Sequence, residues 1–197
     1  MKRILLLIGC AALLGACATA PKTGSKTSYK VTAYKPKDPA SVRIKVSTST
    51  QNIYVMEGDR LLMAVQGCVG ANNATPLGNF SILDKIKKKR RISNPDAGYP
   101  MAYWCEFQSA YGFHEGFVHP APRTHGCIRL HREAAARLYE LVRVGTPVNI
   151  ARSQPEDAKY GASVRKLDES QLPDPPRELL LSERWFQDPA GPLLQEQ

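Results

Sequence analysis

The stretch SVRIKVSTSTQNIYVMEGDRLLMAVQGCVG, residues 41–70, decides the class of fold. Short runs of Val, Ile, Tyr and Leu alternate here with turn residues such as the Glu-Gly-Asp at positions 57–59. Apolar runs of this length, separated by turn residues, are typical of β-hairpins. We therefore expect the ordered core to begin here and to consist mainly of strands.

One later segment has helical periodicity. REAAARLYELVRVG, residues 132–145, carries apolar residues at helical spacing and ends at a glycine, which is common just after a helix. It predicts a helix over residues 132–144. A last strand is expected in TPVNIA, residues 146–151.

Beyond about residue 152 the sequence becomes polar and rich in proline. We interpret residues 153–197 as a C-terminal tail with one short helix near RELLLSERWF, residues 177–186. A single short helix needs tertiary packing to persist. Its apolar side chains are therefore expected to pack back on the domain.

The N-terminus has the features of an export signal. Two positive charges precede an apolar run of 13 residues from Ile4 to Ala16, and small residues follow. This run is too short to span a membrane, which takes about 20 residues. We interpret residues 1–16 as a signal peptide.

The end of that signal, Leu-Gly-Ala-Cys, resembles the lipobox of bacterial lipoproteins, in which the cysteine receives lipid and becomes the mature N-terminus. Cys17 is accordingly the predicted lipidation site. Residues 17–40, rich in Lys, Thr, Ser and Pro, are interpreted as a tether. By the same resemblance, Ala18 in place of an acidic residue indicates the outer membrane of a Gram-negative bacterium, with the protein in the periplasm and attached to the membrane by its lipid.

Composition limits the partners. Removing 16 residues from 197 leaves 181 and lowers the formal charge from +9 to +7, because Lys2 and Arg3 are lost. Hydrophobic residues make up 43% of the chain, enough for the core of one domain, which we place at residues 41–152. The positive charge suits a lipid surface or an anionic cell-wall polymer. Export makes nucleic acid the least favoured partner.

The basic run DKIKKKRR, residues 84–91, has two readings. Charge runs usually form solvated loops, and this is the preferred interpretation. The alternative is a mobile lid that holds an anionic wall strand.

Three cysteines lie beyond the signal region: Cys68, Cys105 and Cys127. In an oxidising compartment an odd number leaves at least one thiol over. If Cys127 is catalytic, Cys68 and Cys105 could form a disulfide. Buried free thiols are equally compatible with the sequence, because cysteine packs well as a small apolar residue.

The histidines are clustered. All four lie within the 18 residues from position 114 to 131, which also contain Cys127: His114, His119, His125 and His131. A zinc site is one explanation. The spacings match no standard paired-ligand motif, and the stretch contains Pro and Gly residues that disfavour a ligand-bearing helix. We therefore expect neither a metal nor another cofactor.

Nucleophilic catalysis explains PRTHGCIRLH, residues 122–131, better. A free thiol is mostly protonated at neutral pH and needs a neighbouring imidazole or cation for activation. His114, at the end of a short aromatic run, could supply it. Gly126 has no side chain, so its backbone could approach a substrate carbonyl and its amide could contribute to an oxyanion hole.

THGCIRL, residues 124–130, preceded by GFHEG, residues 112–116, resembles the signature of the L,D-transpeptidase catalytic domain family, which is YkuD-like. QNIYVMEGDRLLMAVQGCVGANNATPLGNFSI, residues 51–82, and YPMAYWCEF, residues 99–107, resemble two further motifs of the family in the same order. The resemblance covers roughly residues 42–151. It implies a mostly β domain, a sandwich of mixed sheets with one main helix.

The resemblance implies roles for individual residues. Cys127 falls on the nucleophile, His114 on the general base, and Arg129 on the active-site arginine, as either a carboxylate clamp or a loop buttress. The remaining positions implied in the site are His125 and Gly126 beside the nucleophile, and Tyr103, Trp104 and Thr124 as substrate contacts. His119 and His131 are expected to be solvent-facing or satisfied locally, and Thr75 to shape a turn.

The implied activity is a peptidoglycan L,D-transpeptidase. Its cysteine would acylate at the diaminopimelate of a stem peptide and transfer the acyl group to an amine, either on another stem or on a lipoprotein. The open alternatives are release by water, as in a carboxypeptidase or an amidase-like enzyme, and a peptidoglycan-binding lipoprotein without turnover.

Overall fold

A computed structural model describes residues 29–91 and 100–197. Nine strands form one sheet in the order β4-β9-β1-β2-β3-β8-β7-β6-β5. The strands are β1 (Val42–Ser47), β2 (Asn52–Glu57), β3 (Arg60–Cys68), β4 (Gly78–Ser81), β5 (Asp84–Lys89), β6 (Met101–Gln108), β7 (Tyr111–Glu115), β8 (Ile128–Leu130) and β9 (Pro147–Ala151). The helices are α1 (Arg132–Leu141), α2 (Pro155–Tyr160) and α3 (Arg177–Leu181). Short 3-10 turns occupy Pro39–Ser41, Ala71–Asn73, Gly161–Ser163 and Glu183–Phe186.

The sheet is mixed and curled, which confirms the predicted mostly β class. β1 pairs in parallel with β9 and β7 with β8, while the other pairs are antiparallel. Phe80 on β4 and Phe107 on β6 lie near opposite ends of the strand order, yet their rings are 5.6 Å apart. The expected sandwich is therefore one sheet folded over on itself.

The predicted hairpin lies where its apolar pattern indicates. Along β1, Val42, Ile44 and Val46 are buried, and exposed or half-buried residues stand between them. β2 and β3 pair in antiparallel register around the turn at Gly58, whose φ is +57°. A positive φ of this kind favours glycine.

The main helix is shorter than predicted. It ends at Leu141, because Val142 is already extended. The chain then turns through Arg143–Thr146, where the Thr146 amide donates to the Arg143 carbonyl (3.0 Å) and the Arg143 amide donates to Thr146 Oγ1 (2.9 Å). This turn leads directly into β9, so the helix cannot continue to residue 144.

Part of the predicted tether belongs to the folded domain. Tyr29, Val31 and Ala33 are buried and alternate with exposed residues. The Tyr34 amide donates to the Leu62 carbonyl (3.0 Å), and residues 33–35 pair with Gln195 near the other end of the chain. The signal peptide, Cys17 and residues 17–28 of the tether lie outside the described residues.

The basic run is neither a solvated loop nor a lid over residues 84–89. These residues form the edge strand β5, which pairs with β6. Its cations meet acids of the C-terminal segment: Lys87 Nζ lies 2.8 Å from Asp188, and Lys88 Nζ lies 2.6 Å from Glu183.

The C-terminal segment is more ordered than a tail with one helix. α2, which was not predicted from the sequence, begins at Pro155, where the Gln154 amide donates to Asp157 Oδ2 (2.9 Å). The expected helix near residues 177–186 is present as α3 and a 3-10 turn, and Phe186 is buried against the domain.

The three cysteines of the described chain are free, which excludes the Cys68–Cys105 disulfide. Cys68 lies on β3 and Cys105 on β6, with β8 and β7 between them. Neighbouring strands are about 4.8 Å apart, whereas a disulfide requires Cα atoms closer than about 7 Å. Both thiols are fully buried.

Among the described residues, no helix is long and apolar enough to cross a membrane.

Candidate active site

A cavity of about 460 Å³ contains the thiol of Cys127 and the imidazole of His114 in its wall. Arg129 from β8 lines the same cavity, as do Glu169 and Trp185 from the C-terminal segment. The parallel pairing of β7 and β8 sets His114 opposite Arg129. Cys127 immediately precedes β8, so the thiol lies at the start of the strand that pairs with the one carrying the imidazole.

His114 is held in one tautomer. Its ring is buried, and Nδ1 lies 2.6 Å from the Glu115 carbonyl oxygen. A carbonyl can only accept, so Nδ1 carries the hydrogen and Nε2 has the lone pair. Burial lowers the pKa of His114 to about 4, and the charges of Arg129 and Lys89 act in the same direction. The imidazole is therefore neutral at neutral pH and able to accept a proton.

Cys127 is half-buried, and its Sγ lies 3.7 Å from the Ala110 carbonyl oxygen. Burial raises the pKa of this thiol, while the Gly112 amide and the charge of Arg129 oppose that rise. The resting pair is accordingly a neutral thiol and a neutral imidazole. A nucleophile would be produced by proton transfer during reaction rather than by a stable ion pair.

The buried neutral imidazole should make folding stability depend on pH. The unfolded chain has an ordinary histidine pKa near 6.5, whereas the folded value is about 4. The contribution of the neutral ring is present above about pH 6.5 and is lost as the pH falls through 4. We expect a loss of about 3 kcal/mol in unfolding free energy across that window. Urea unfolding of wild type and His114→Gln should show the difference, and parallel curves would contradict it.

Two threonine hydroxyls fix the turn before Cys127. Thr124 Oγ1 donates to the Cys127 carbonyl (2.5 Å) and accepts from the Gly126 amide (3.0 Å). From the other side, Thr75 Oγ1 donates to the Gly126 carbonyl (3.0 Å) and accepts from the Gly70 amide (2.7 Å). Thr124 lines the cavity, but its hydroxyl is used to hold the turn.

The role expected of Gly126 is different in the structure. A Cβ at this position would lie 2.1 Å from Tyr111 Cε1, and φ is +131°. The missing side chain therefore accommodates the Tyr111 ring rather than a substrate. Because the Gly126 amide donates to Thr124, it is not free for an oxyanion hole.

Arg129 has two effects in the site, one through its packing and one through its positive charge. Its aliphatic chain packs on Gly116, where a Cβ would lie 3.0 Å from Arg129 Cδ. Its guanidinium charge lowers the pKa of both His114 and Cys127. Of the two roles expected for Arg129, the contact with Gly116 is the one that a loop buttress would make.

The other histidines differ in position. His125 is exposed and lines the cavity. His131, also in the cavity wall, caps α1 by accepting from the Glu133 amide at Nδ1 (3.1 Å), which is a local partner as expected. His119 is half-buried, and its carbonyl lies 3.3 Å from Gln66 Nε2.

Tyr103 and Trp104 do not fit the predicted role of substrate contacts. They are 1% and 2% exposed, and neither is among the described residues that line the cavity. The Tyr103 hydroxyl donates to Asp188 (2.9 Å), while Trp104 packs against His114 with ring centroids 5.9 Å apart. Trp104 therefore supports the imidazole from behind.

Three side chains of the site were not found from the sequence. Arg132 binds both oxygens of Glu115, at 2.8 and 3.2 Å, and its guanidinium also donates to the Trp185 carbonyl and lies 5.0 Å from the Trp185 ring. Glu169 and Trp185 come from the segment read as a tail. No local motif marks them, because their partners are distant in sequence.

Within residues 29–91 and 100–197, no group of three or more His, Cys, Asp or Glu side chains is arranged to hold a metal ion.

The protein is mostly β, and the wall of one cavity holds a neutral imidazole from β7 and a thiol from the residue just before β8. The sequence profile of the YkuD family, the L,D-transpeptidase catalytic domain, matches residues 41–150, more than half of the chain. The chain belongs to this L,D-transpeptidase catalytic domain family.

Solved structures show the same fold at low identity. An L,D-transpeptidase from Stackebrandtia nassauensis has a TM-score of 0.52 and 21% identity over 66% of this chain and 63% of that one. An L,D-transpeptidase from Xylanimonas cellulosilytica has a TM-score of 0.51 and 18% identity over 59% of this chain and 63% of that one. An L,D-transpeptidase from Mycobacterium tuberculosis has a TM-score of 0.50 and 22% identity over 56% of this chain and 57% of that one.

The chain thus spans about three fifths of the length of these solved chains. No curated protein matches its sequence.

Proposed function

We propose that this protein is a peptidoglycan L,D-transpeptidase in which Cys127 is the nucleophile and His114 the general base. The donor is the tetrapeptide stem of peptidoglycan, cleaved after the diaminopimelate at position three. The observation that carries the proposal is the placement of Cys127 and a single-tautomer His114 in one cavity. Membership of the YkuD family supports the reaction class.

Acylation begins with transfer of the Cys127 proton to Nε2 of His114. The sulfur attacks the diaminopimelate carbonyl carbon, and the imidazolium gives its proton to the nitrogen of the departing D-alanine. Arg129 stabilises the negative charge that develops on sulfur and oxygen. The products are a thioester and free D-alanine, so one difficult step is divided into two.

Deacylation reverses the proton path. The acceptor amine loses a proton to Nε2, attacks the thioester carbonyl and releases Cys127, which recovers its proton. The Glu115 carbonyl accepts from Nδ1, so the protons of both steps are exchanged at Nε2. The acceptor is an amine on a second stem peptide or on a lipoprotein.

Incubation of the protein with disaccharide-tetrapeptides, with products identified by mass, tests the proposal. Cross-linked dimers that have lost D-alanine support transfer to an amine. Tripeptides alone would identify water as the acceptor, and intact tetrapeptides would refute the activity.

The protein is further proposed to be a periplasmic lipoprotein of the outer membrane, anchored through Cys17. The signal-like N-terminal sequence supports this. Tyr29, the first described residue, has its ring 4.7 Å from that of His131 in the cavity wall. Cys17 precedes Tyr29 by 12 residues, so an anchor there would keep Tyr29 within about 40 Å of the membrane.

Changing Cys17 to serine should move the protein from the membrane fraction to the soluble periplasm, because the acyl chains supply the membrane affinity. Fractionation with immunoblotting measures this. The domain should remain folded, since the described core begins at Tyr29. A variant that stays in the membrane with its signal uncleaved would show that residues 4–16 are the anchor.

A further inference from the structure

Glu169 is a cavity residue supplied from outside the family match. It follows the matched residues 41–150, yet its side chain lines the same cavity as Cys127. The side chain is 14% exposed. Its position is fixed by Val118: the Val118 amide donates to Glu169 Oε2 (2.8 Å), and the Glu169 amide donates to the Val118 carbonyl (2.9 Å).

The charge of Glu169 has no cationic partner of its own. The cavity's other carboxylate, Glu115, is paired with Arg132. Across the described chain, no Lys or Arg lies within 4.0 Å of Glu169. His131 Nε2 lies 3.7 Å from Glu169 Oε1, but burial lowers the pKa of His131, so this ring is neutral at pH 7.

A carboxylate largely withdrawn from water is costly unless a cation or several hydrogen bonds compensate it. Glu169 has one amide donor, and burial raises its pKa. The lining of the same cavity also includes the apolar side chains of Trp185 and Met101. Apolar side chains and a carboxylate without a cationic partner in one cavity suit an aliphatic chain with a terminal ammonium.

We propose that Glu169 is a specificity-determining residue that binds a primary ammonium group carried on a short aliphatic chain of the substrate. The inference rests on the acyl transfer proposed above. Two substrate groups have this chemistry: the side-chain ammonium of the donor's third residue and the ammonium form of the acceptor amine.

Glu169→Gln tests the charge while keeping an oxygen that can accept from Val118. With a tetrapeptide donor bearing lysine at position three, kcat/KM for D-alanine release should fall about 10-fold, the usual effect of losing a charged hydrogen bond. With the Nε-acetylated donor it should hardly change. Glu178→Gln is the matched control, because Glu178 is exposed on the same C-terminal segment.

The acceptor is tested by adding an aliphatic amine and measuring the ratio of amide product to hydrolysed tripeptide. A lower ratio in Glu169→Gln, with hydrolysis of both donors unchanged, assigns the carboxylate to the acceptor. A loss confined to the lysine donor assigns it to the donor.

Binding can be measured without turnover. Calorimetric titration of the lysine tetrapeptide into Cys127→Ala and into Cys127→Ala/Glu169→Gln should show about 10-fold weaker binding in the second, and Glu169→Asp should be intermediate. Unfolding midpoints confirm that the variants fold.

If wild type releases D-alanine while Glu169→Gln matches it in every arm, the inference is overturned and acyl transfer stands. If wild type releases no D-alanine even from the diaminopimelate tetrapeptide, acyl transfer is refuted and the titration alone decides the ammonium site.

Discussion

Replacing either Cys127 or His114 with alanine should reduce D-alanine release by on the order of 10⁴-fold or more. Without Cys127 there is no atom to form the thioester. Without His114 the thiol, whose pKa is raised by burial, keeps its proton at neutral pH. Because the two act as one unit, the double variant should lose little more than either single one. Initial rates of D-alanine release from a tetrapeptide measure this.

His119→Ala is the control, since His119 is not among the described residues lining the cavity. It should alter turnover only slightly. Full activity in His114→Ala would keep Cys127 but require another base, and His125 is the nearest candidate in sequence. Loss of wild-type activity with a chelator, restored by zinc, would refute the thiol mechanism.

The strands and the thiol-imidazole pair were predictable because their signals are local. Alternating burial along β1 reproduces the alternation of apolar residues in its sequence. Cys127 and His114 stand in short motifs, and the parallel pairing of β7 with β8 brings those motifs together. The family resemblance therefore pointed from the sequence alone to two side chains that line one cavity in the structure.

Errors arose where a segment's state depends on distant partners. Lys87 and Lys88 favour a solvated loop by charge, but Asp188 and Glu183, about one hundred residues away, lie against them on the edge strand. Residues 29–34 have a sequence typical of a tether, but in the structure Tyr34 pairs with Gln195. Because these partners are far apart in the sequence, no local sequence pattern could predict the contacts.

The site residues taken from the family pattern show a second kind of error. Gly126 matches the pattern, yet its space is filled by Tyr111 and its amide is used by Thr124. Trp104 likewise lies behind His114 and not in the cavity wall. A motif shows which residue type a position requires. The physical reason for that requirement depends on neighbouring residues that are not part of the motif.

The Arg132→Ala variant should lower the unfolding free energy by about 3 kcal/mol at pH 7, the usual cost of leaving a buried charge without its partner. The Glu115 side chain is only 9% exposed. Burial already raises the pKa of Glu115, and Arg132 is the main opposing influence. Its loss would also remove donors to the Trp185 and Gln187 carbonyls, which hold the C-terminal segment at the cavity. Chemical denaturation measures the change.

The pH dependence and a second substitution separate charge from lost packing. Without Arg132 the pKa of Glu115 should rise further above its unfolded value. The penalty should therefore be full at neutral pH and shrink as the pH falls toward the unfolded pKa of about 4.3. Adding Glu115→Gln should recover part of the loss, since no unpaired carboxylate remains. Arg184→Ala, at an exposed neighbour of Trp185, should stay within about 0.5 kcal/mol of wild type. A double variant no more stable than Arg132→Ala would show that Arg132 acts through its contacts with the C-terminal segment and not through the charge of Glu115.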